Sequence, residues 1–136
     1  MADEAILRDR LENPIDFTVA DGTGIEKGAL LKITDPRTAI ITSADGDMIA
    51  GIAAREKIAS DGRTRLAVFR KGIFDMYASG AITLGEPVCS AAVDGANRVC
   101  HAGGAEAGAA IIGHSLETAS DGEIIQIAVN IGGGTS

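Results

Sequence analysis

The chain has no tryptophan, one tyrosine and three phenylalanines among its 136 residues. Its core must therefore be filled by Ile, Val, Leu and Ala. There are only two cysteines, Cys89 and Cys100, too few for a disulfide framework, and in a cytoplasm they default to reduced thiols. No apolar run approaches the roughly 18 residues that a membrane-spanning helix needs. The opening, Met1 to Pro14, is charged and has no apolar stretch of the secretory kind, so synthesis and assembly in a cytoplasm are expected. Basic residues are also short, 12 against 19 acids, for a net charge of −7. Nucleic acid and anionic membranes would be repelled, so neither is an expected partner.

The residues that carry chemistry are equally sparse. His101 and His114 have no carboxylate at a spacing that suggests a triad. Ser115 adjoins His114, but neighbouring residues on a strand point to opposite faces. With Cys89 and Cys100 the two histidines make up all the nitrogen and sulfur ligands, and their spacing fits no zinc pattern. No phosphate-binding loop, dinucleotide fingerprint or calcium loop is present, and no Lys-Ser or Lys-Thr follows Gly103-Gly104 or the final glycine run. No catalytic residue, cofactor or metal is expected, and the chain does not read as an enzyme.

What the chain has in quantity is glycine, 18 in all, interspersed with β-branched residues. A helical bundle would lose about 1 kcal/mol at each interior glycine, whereas short strands joined by tight turns use them. The length suits one domain. Strand-like runs are Ile15–Ala20, Ala29–Thr34, Thr38–Thr42, Met48–Ile58, Arg65–Phe69, Ile73–Tyr77, Pro87–Val93, Asn97–His101, Ala110–Leu116 and Ile124–Ile131. Asp61-Gly62, Asp94-Gly95 and Asp121-Gly122 lie between such runs and predict antiparallel hairpins. The fold class is therefore all-β, a small antiparallel barrel. Residues 1–14 stand apart as an N-terminal arm. There Ala5, Ile6, Leu7 and Leu11 would form a short amphipathic turn or two, with Asp3 as N-cap and Pro14 closing the segment. So short a piece orders only against a partner or along the domain. Residues 132–136 read as a frayed tail.

The sequence repeats itself at an offset of about 60 residues. Gly51-Ile52-Ala53, Ala59-Ser60-Asp61-Gly62 and Leu66-Ala67-Val68 are echoed by Gly113-His114-Ser115, Ala119-Ser120-Asp121-Gly122 and Ile127-Ala128-Val129. Ile25 to Leu30 is echoed by Ile82 to Pro87. The β domain, 15–131, thus divides into halves of about 15–72 and 73–131 with a pseudo-twofold relation; neither half alone would cover both faces of its sheet, and the two together would close a small barrel or sandwich. The halves differ in charge: residues 1–71 have a net charge of −1, and residues 72–136, with Arg98 as their only base, −6. Half the bases fall in one stretch, Arg55, Lys57, Arg63, Arg65, Arg70 and Lys71. Arg63 and Arg65 would share a strand face, as would Arg55 and Lys57, either as a patch for an acidic neighbour or as a solvated face. A two-residue turn at Asp94-Gly95 would set Cys89 opposite Cys100, as a pair of small buried thiols or, in an oxidising medium, a disulfide.

Pro14 to Val19, Gly24 to Lys32, Ile49 to Ala53 with its echo Ile112 to Glu117, and Gly80 to Val88 together resemble the head-decoration, or capsid cement, proteins of tailed phages. The likeness spans about residues 14–131. It implies a β-tulip-like or barrel domain, usually a homotrimer, that binds the major capsid protein on the outer face of an icosahedral capsid and stabilises it. It transfers no catalytic set. The arm is similar in position to segments that order on capsids, although it is more highly charged. Candidate contacts are Ile6, Leu7 and Leu11 of the arm and Arg63 and Arg65 of the basic stretch. An acidic charge agrees with a capsid exterior, because an inner-face protein would meet packaged DNA. The alternative is a β-barrel carrier or ligand-binding module, against which stands the lack of lysine in the Asp-Gly turns. An enzyme subunit with an intersubunit site is a third reading.

Overall fold

A computed structural model describes residues 3–44, 46–91, 97–102 and 110–131. Among these there is no α-helix, and eleven strands account for the regular structure. After β1 (Ile6–Arg10), the strands β2 (Ile15–Thr18), β3 (Leu30–Asp35), β4 (Thr38–Ile41), β5 (Ile49–Ala53) and β6 (Arg65–Phe69) close a barrel in the order β2-β4-β3-β5-β6. The strands β7 (Lys71–Ala78), β8 (Pro87–Ala91), β9 (Arg98–His101), β10 (Gly113–Ser115) and β11 (Ile124–Asn130) follow. They run β7-β11-β10-β8-β9, and β9 pairs back onto β7.

The two rings share one pairing scheme. β2 pairs antiparallel with β6 and parallel with β4, and β7 does the same with β11 and β9. The other three pairings, all antiparallel, also correspond. Even the isolated bridges match, Ile25 with Lys57 and Ile82 with Ala119. The internal repeat is therefore a repeated barrel: each half closes on itself, in place of the one barrel or sandwich expected from both halves together, and closure removes the edges that either half would expose as an open sheet.

The glycines Gly51 and Gly113 occupy corresponding places in β5 and β10. A Cβ on Gly51 would collide with the Phe69 carbonyl, and one on Gly113 with the Ala128 carbonyl. Both are close backbone approaches that only glycine permits.

Alternation along the strands sorts side chains between two cores. Phe17, Val19, Leu31, Ala50, Ala53, Leu66 and Val68 belong to the core of the first barrel. Their neighbours Leu30, Ile49, Ile52 and Phe69 face the other way and join Phe74, Met76, Val88, Ile112, Ile125 and Ile127 in a second, larger cluster. All five residues of β5 are buried. The pairing of β5 with β3 is irregular between Leu31 and Lys32, and this bulge puts Ile49 and Ile52 on one side although they are three residues apart. One apolar cluster thus draws on both halves.

Three local expectations change. Residues 6–10 form a strand, not helical turns. β1 lies along β7, pairing Ile6 with Asp75 and Leu7 with Phe74, where ladder bonds satisfy a backbone that an isolated helical turn would leave partly unpaired. The turns around Asp61-Gly62 and Asp121-Gly122 do join antiparallel strands, but as loops spanning residues 54–64 and 116–123, not as two-residue turns. The run Met48–Ile58 accordingly leaves the ladder after Ala53. Finally, the Ala-Ser-Asp-Gly blocks sit two residues out of structural register, since Lys57, not Ala59, occupies the place of Ala119. The Asp94-Gly95 turn, the Gly103-Gly104 region and the tail 132–136 lie outside the described residues.

Candidate functional site

The five candidate contact residues fall on two surfaces. The first is β1. Leu7 is half-buried against the shared core, while Ile6 and Leu11 point outward at 50% and 57% exposure. Among the described residues β1 has a strand neighbour only on its β7 side. The segment is tied down polar group by polar group. The Ala5 N–H donates to the Gly28 carbonyl at 3.1 Å, the Arg98 guanidinium meets Asp3 at 2.9 Å, and Arg8 meets Asp75 at 3.6 Å. Arg10 lies 5.5 Å from the centre of the Phe69 ring. The hydrogen bond to Asp3, with its charge, raises the Arg98 pKa above the ordinary value.

Asn97 fastens this segment to both halves. Its side chain is buried, accepts the Leu30 N–H at 2.8 Å, and donates to the carbonyls of Gly28 at 2.9 Å and Asp3 at 3.0 Å. Nothing local in the sequence marks this residue, because its partners lie 67 to 94 positions away.

The second surface is the outside of β2 and β6. Arg63 and Arg65 come together there, lining a hollow of about 460 Å³ with Arg55, Asp16 and Glu56. Arg65 and Asp16 also border a second hollow, of about 510 Å³, with Pro14, Ile15 and Arg37. Arg37 is held by a 2.9 Å bond from its Nε to the Asp16 carbonyl and lies 5.9 Å from the Phe17 ring centre.

Lys57 does not share the exposed face of Arg55. Its side chain is wholly buried, and its ammonium donates to Asp61 Oδ1 at 2.8 Å, the Asp21 carbonyl at 2.9 Å, the Ile58 carbonyl at 3.0 Å and Asp21 Oδ1 at 3.2 Å. A buried ammonium needs such oxygens to replace water, which is why the chain turns it inward here. Burial acts to lower the Lys57 pKa, but the bonds and charges of Asp61 and Asp21 outweigh it, so the pKa is raised. The bond from Lys57, helped by the Arg63 N–H, lowers Asp61 to about 2. The knot closes the loop that carries Arg63.

Among the described residues, Ser115 and His114 are not brought together. Ser115 is buried and donates to the Thr83 carbonyl at 2.7 Å, while His114 is exposed on the opposite face. His101 pairs with Glu86, whose pKa is lowered by hydrogen bonds from Thr83 and by His101. Cys89 and Cys100 are register partners, as the turn arithmetic requires, with their Sγ atoms 3.4 Å apart. Among the described residues no cluster of His, Cys, Asp or Glu could hold a metal ion.

The double barrel, without a helix among the described residues, exposes an apolar strand edge and an arginine-lined hollow among its surface features. The chain belongs to the phage cement protein family, whose sequence model matches residues 10–131. Its role is accordingly that of a virion structural protein that stabilises a capsid. Among solved structures it is similar to the N base of the head fiber protein gp8.5 of bacteriophage phi29, with a TM-score of 0.55 and 13% identity over 85% of this chain and 93% of that one. That likeness supports the fold. No curated protein matches the sequence.

Proposed function

We propose that this protein cements the capsid from its outer surface, as a homotrimer bound to the major capsid protein, with no part taken by nucleic acid, membrane or catalysis. The observation that carries the reading is the segment of β1, a strand with an open edge where Ile6 and, just beyond the strand, Leu11 are exposed although the segment is held firmly at Asp3, Ala5 and Leu7. An edge of this kind accepts a neighbouring chain by main-chain pairing and apolar contact. A net charge of −7 favours the side of the shell away from packaged DNA. Trimerisation is supported by the exposed Ile15, Leu84, Leu116 and Ile124, which one chain leaves uncovered. In this reading Ile6, Leu7 and Leu11 face the capsid or depend on it, and Arg63 and Arg65 meet an acidic neighbour. Assembly takes place in the host cytoplasm.

The test is binding of purified protein to undecorated capsids. The double variant Ile6→Ser/Leu11→Ser should melt like the parent, since both side chains are exposed, yet bind about tenfold or more weakly, roughly 1.4 kcal/mol of contact. Unchanged affinity of the folded variant would remove β1 from the interface. Three weak contacts per trimer would combine through avidity, so monovalent affinity is to be measured beside particle occupancy.

A further inference from the structure

The repeated barrel sets corresponding surfaces side by side for comparison. In the first half the Ala54 N–H donates to the Ala67 carbonyl, and in the second the Leu116 N–H donates to the Gln126 carbonyl, both at 2.9 Å. The next residue is Arg55 in one half and Glu117 in the other. Likewise the Val19 N–H donates to the Thr64 carbonyl at 3.0 Å, and the Ala78 N–H to the Glu123 carbonyl at 2.9 Å. Glu123 thus stands in the place of Thr64, between Arg63 and Arg65. One region of the same architecture is basic in the first barrel and acidic in the second.

The two versions also differ in shape and apolar content. The basic face is hollowed beside Arg55, Arg63 and Arg65, with Asp16 and Glu56 offsetting part of its charge. The acidic face bears projecting apolar side chains instead: Leu116 and Ile124, at 41% and 54% exposure, adjoin Glu117 and Glu123 in sequence. Leu84, at 62%, is held beside them by a 3.1 Å bond from its N–H to Thr118. Among the described residues none of Arg55, Arg63, Arg65, Glu117 or Glu123 has an ion pair.

We propose that copies of this chain associate head to tail, the arginine-lined hollow of one first barrel receiving the Leu116–Ile124 face and carboxylates of the next copy's second barrel. Such a contact is heterologous, so it closes into a ring when the rotation between copies permits. Charge chooses the register: basic face against basic face and acidic against acidic are both repelled, which leaves only first barrel against second barrel. The inference rests on the reading that the protein self-associates, and it names the two surfaces involved.

Sedimentation of the full chain tests it with four proteins: wild type, R55E/R65E, E117K/E123K and the variant with all four reversals. Either pair of reversals should weaken association by about tenfold or more, and added salt should weaken the wild type. The fourfold variant, whose faces have exchanged charge, should associate again to within a few-fold of wild type. Circular dichroism melts identify folded variants. E117Q/E123Q keeps the acceptors for the Gln126 and Ser120 N–H groups, so it should stay folded and yet associate less. Wild-type-like association in all the folded variants would overturn the proposed contact while leaving self-association standing. Failure of the folded fourfold variant to recover would overturn the contact too. A wild type that stays monomeric both at high concentration and on the capsid would overturn the contact together with the reading beneath it.

Discussion

Replacing Asn97 with alanine removes three hydrogen bonds from a site that is only 4% exposed. Their losses are unequal. The Gly28 carbonyl keeps the Ala5 N–H as a donor. The Leu30 N–H, on a fully buried residue, loses its Asn97 acceptor, and an unpaired buried donor costs about 1–3 kcal/mol. The two bonds from the amide nitrogen add roughly 0.5–1.5 kcal/mol each. The expected destabilisation is thus about 2–6 kcal/mol, a large share of the roughly 5–15 kcal/mol typical of a folded domain. In a chain of this size that corresponds to a fall in melting temperature on the order of 10 °C. The assay is thermal and urea unfolding of wild type, N97A and the exposed control N130A, which should stay within about 0.5 kcal/mol of wild type. N97D sharpens the test. A carboxylate keeps the acceptor for Leu30 but faces the Gly28 and Asp3 carbonyls, so its folded pKa is raised above the unfolded value. Its contribution is then present in acid, below the unfolded pKa, and lost as pH rises. N97D should therefore be least stable near neutrality and recover on acidification. An N97A protein as stable as N130A, or an N97D protein with no recovery in acid, would refute the role given to Asn97.

Other outcomes follow from the same geometry. Gly113→Ala would drive its Cβ into the Ala128 carbonyl and should prevent folding, whereas Gly22→Ala, with open space around it, should be tolerated; soluble yield and far-ultraviolet circular dichroism compare the two. Asp61, at a folded pKa of about 2, contributes stability that is complete above its unfolded pKa near 4 and lost as pH falls through the window from about 4 to 2. Melting temperatures across that window should fall less in D61N than in wild type. Phe74→Ala, which empties a 1% exposed site in the core shared by the halves, should cost about 3–5 kcal/mol by urea titration.

The barrel was legible because its signals are local. Alternation and β-branched runs located most strands, and Arg65–Phe69 is β6 to the residue. Repeat arithmetic found the duplication, and turn arithmetic set Cys89 opposite Cys100. Less legible were features decided by partners far away in sequence. Residues 6–10 look helical by spacing, yet they become a strand because β7 offers an edge about seventy residues later. Lys57 reads as surface charge until the loops bring Asp21 and Asp61 around it. Of the candidate contacts, Arg63 and Arg65 do share one surface, while Ile6 and Leu7 lie on another and point in different directions. Alternation on a strand separates what helical spacing would have joined.

The most direct measurement of capsid cementing is the temperature at which undecorated capsids release their contents, recorded with and without saturating amounts of this protein. Saturable binding and a higher release temperature are expected, with the gain diminished when Ile6→Ser/Leu11→Ser replaces the wild type. Capsids that bind no protein, or that bind it to saturation and fail at an unchanged temperature, would contradict a cementing role.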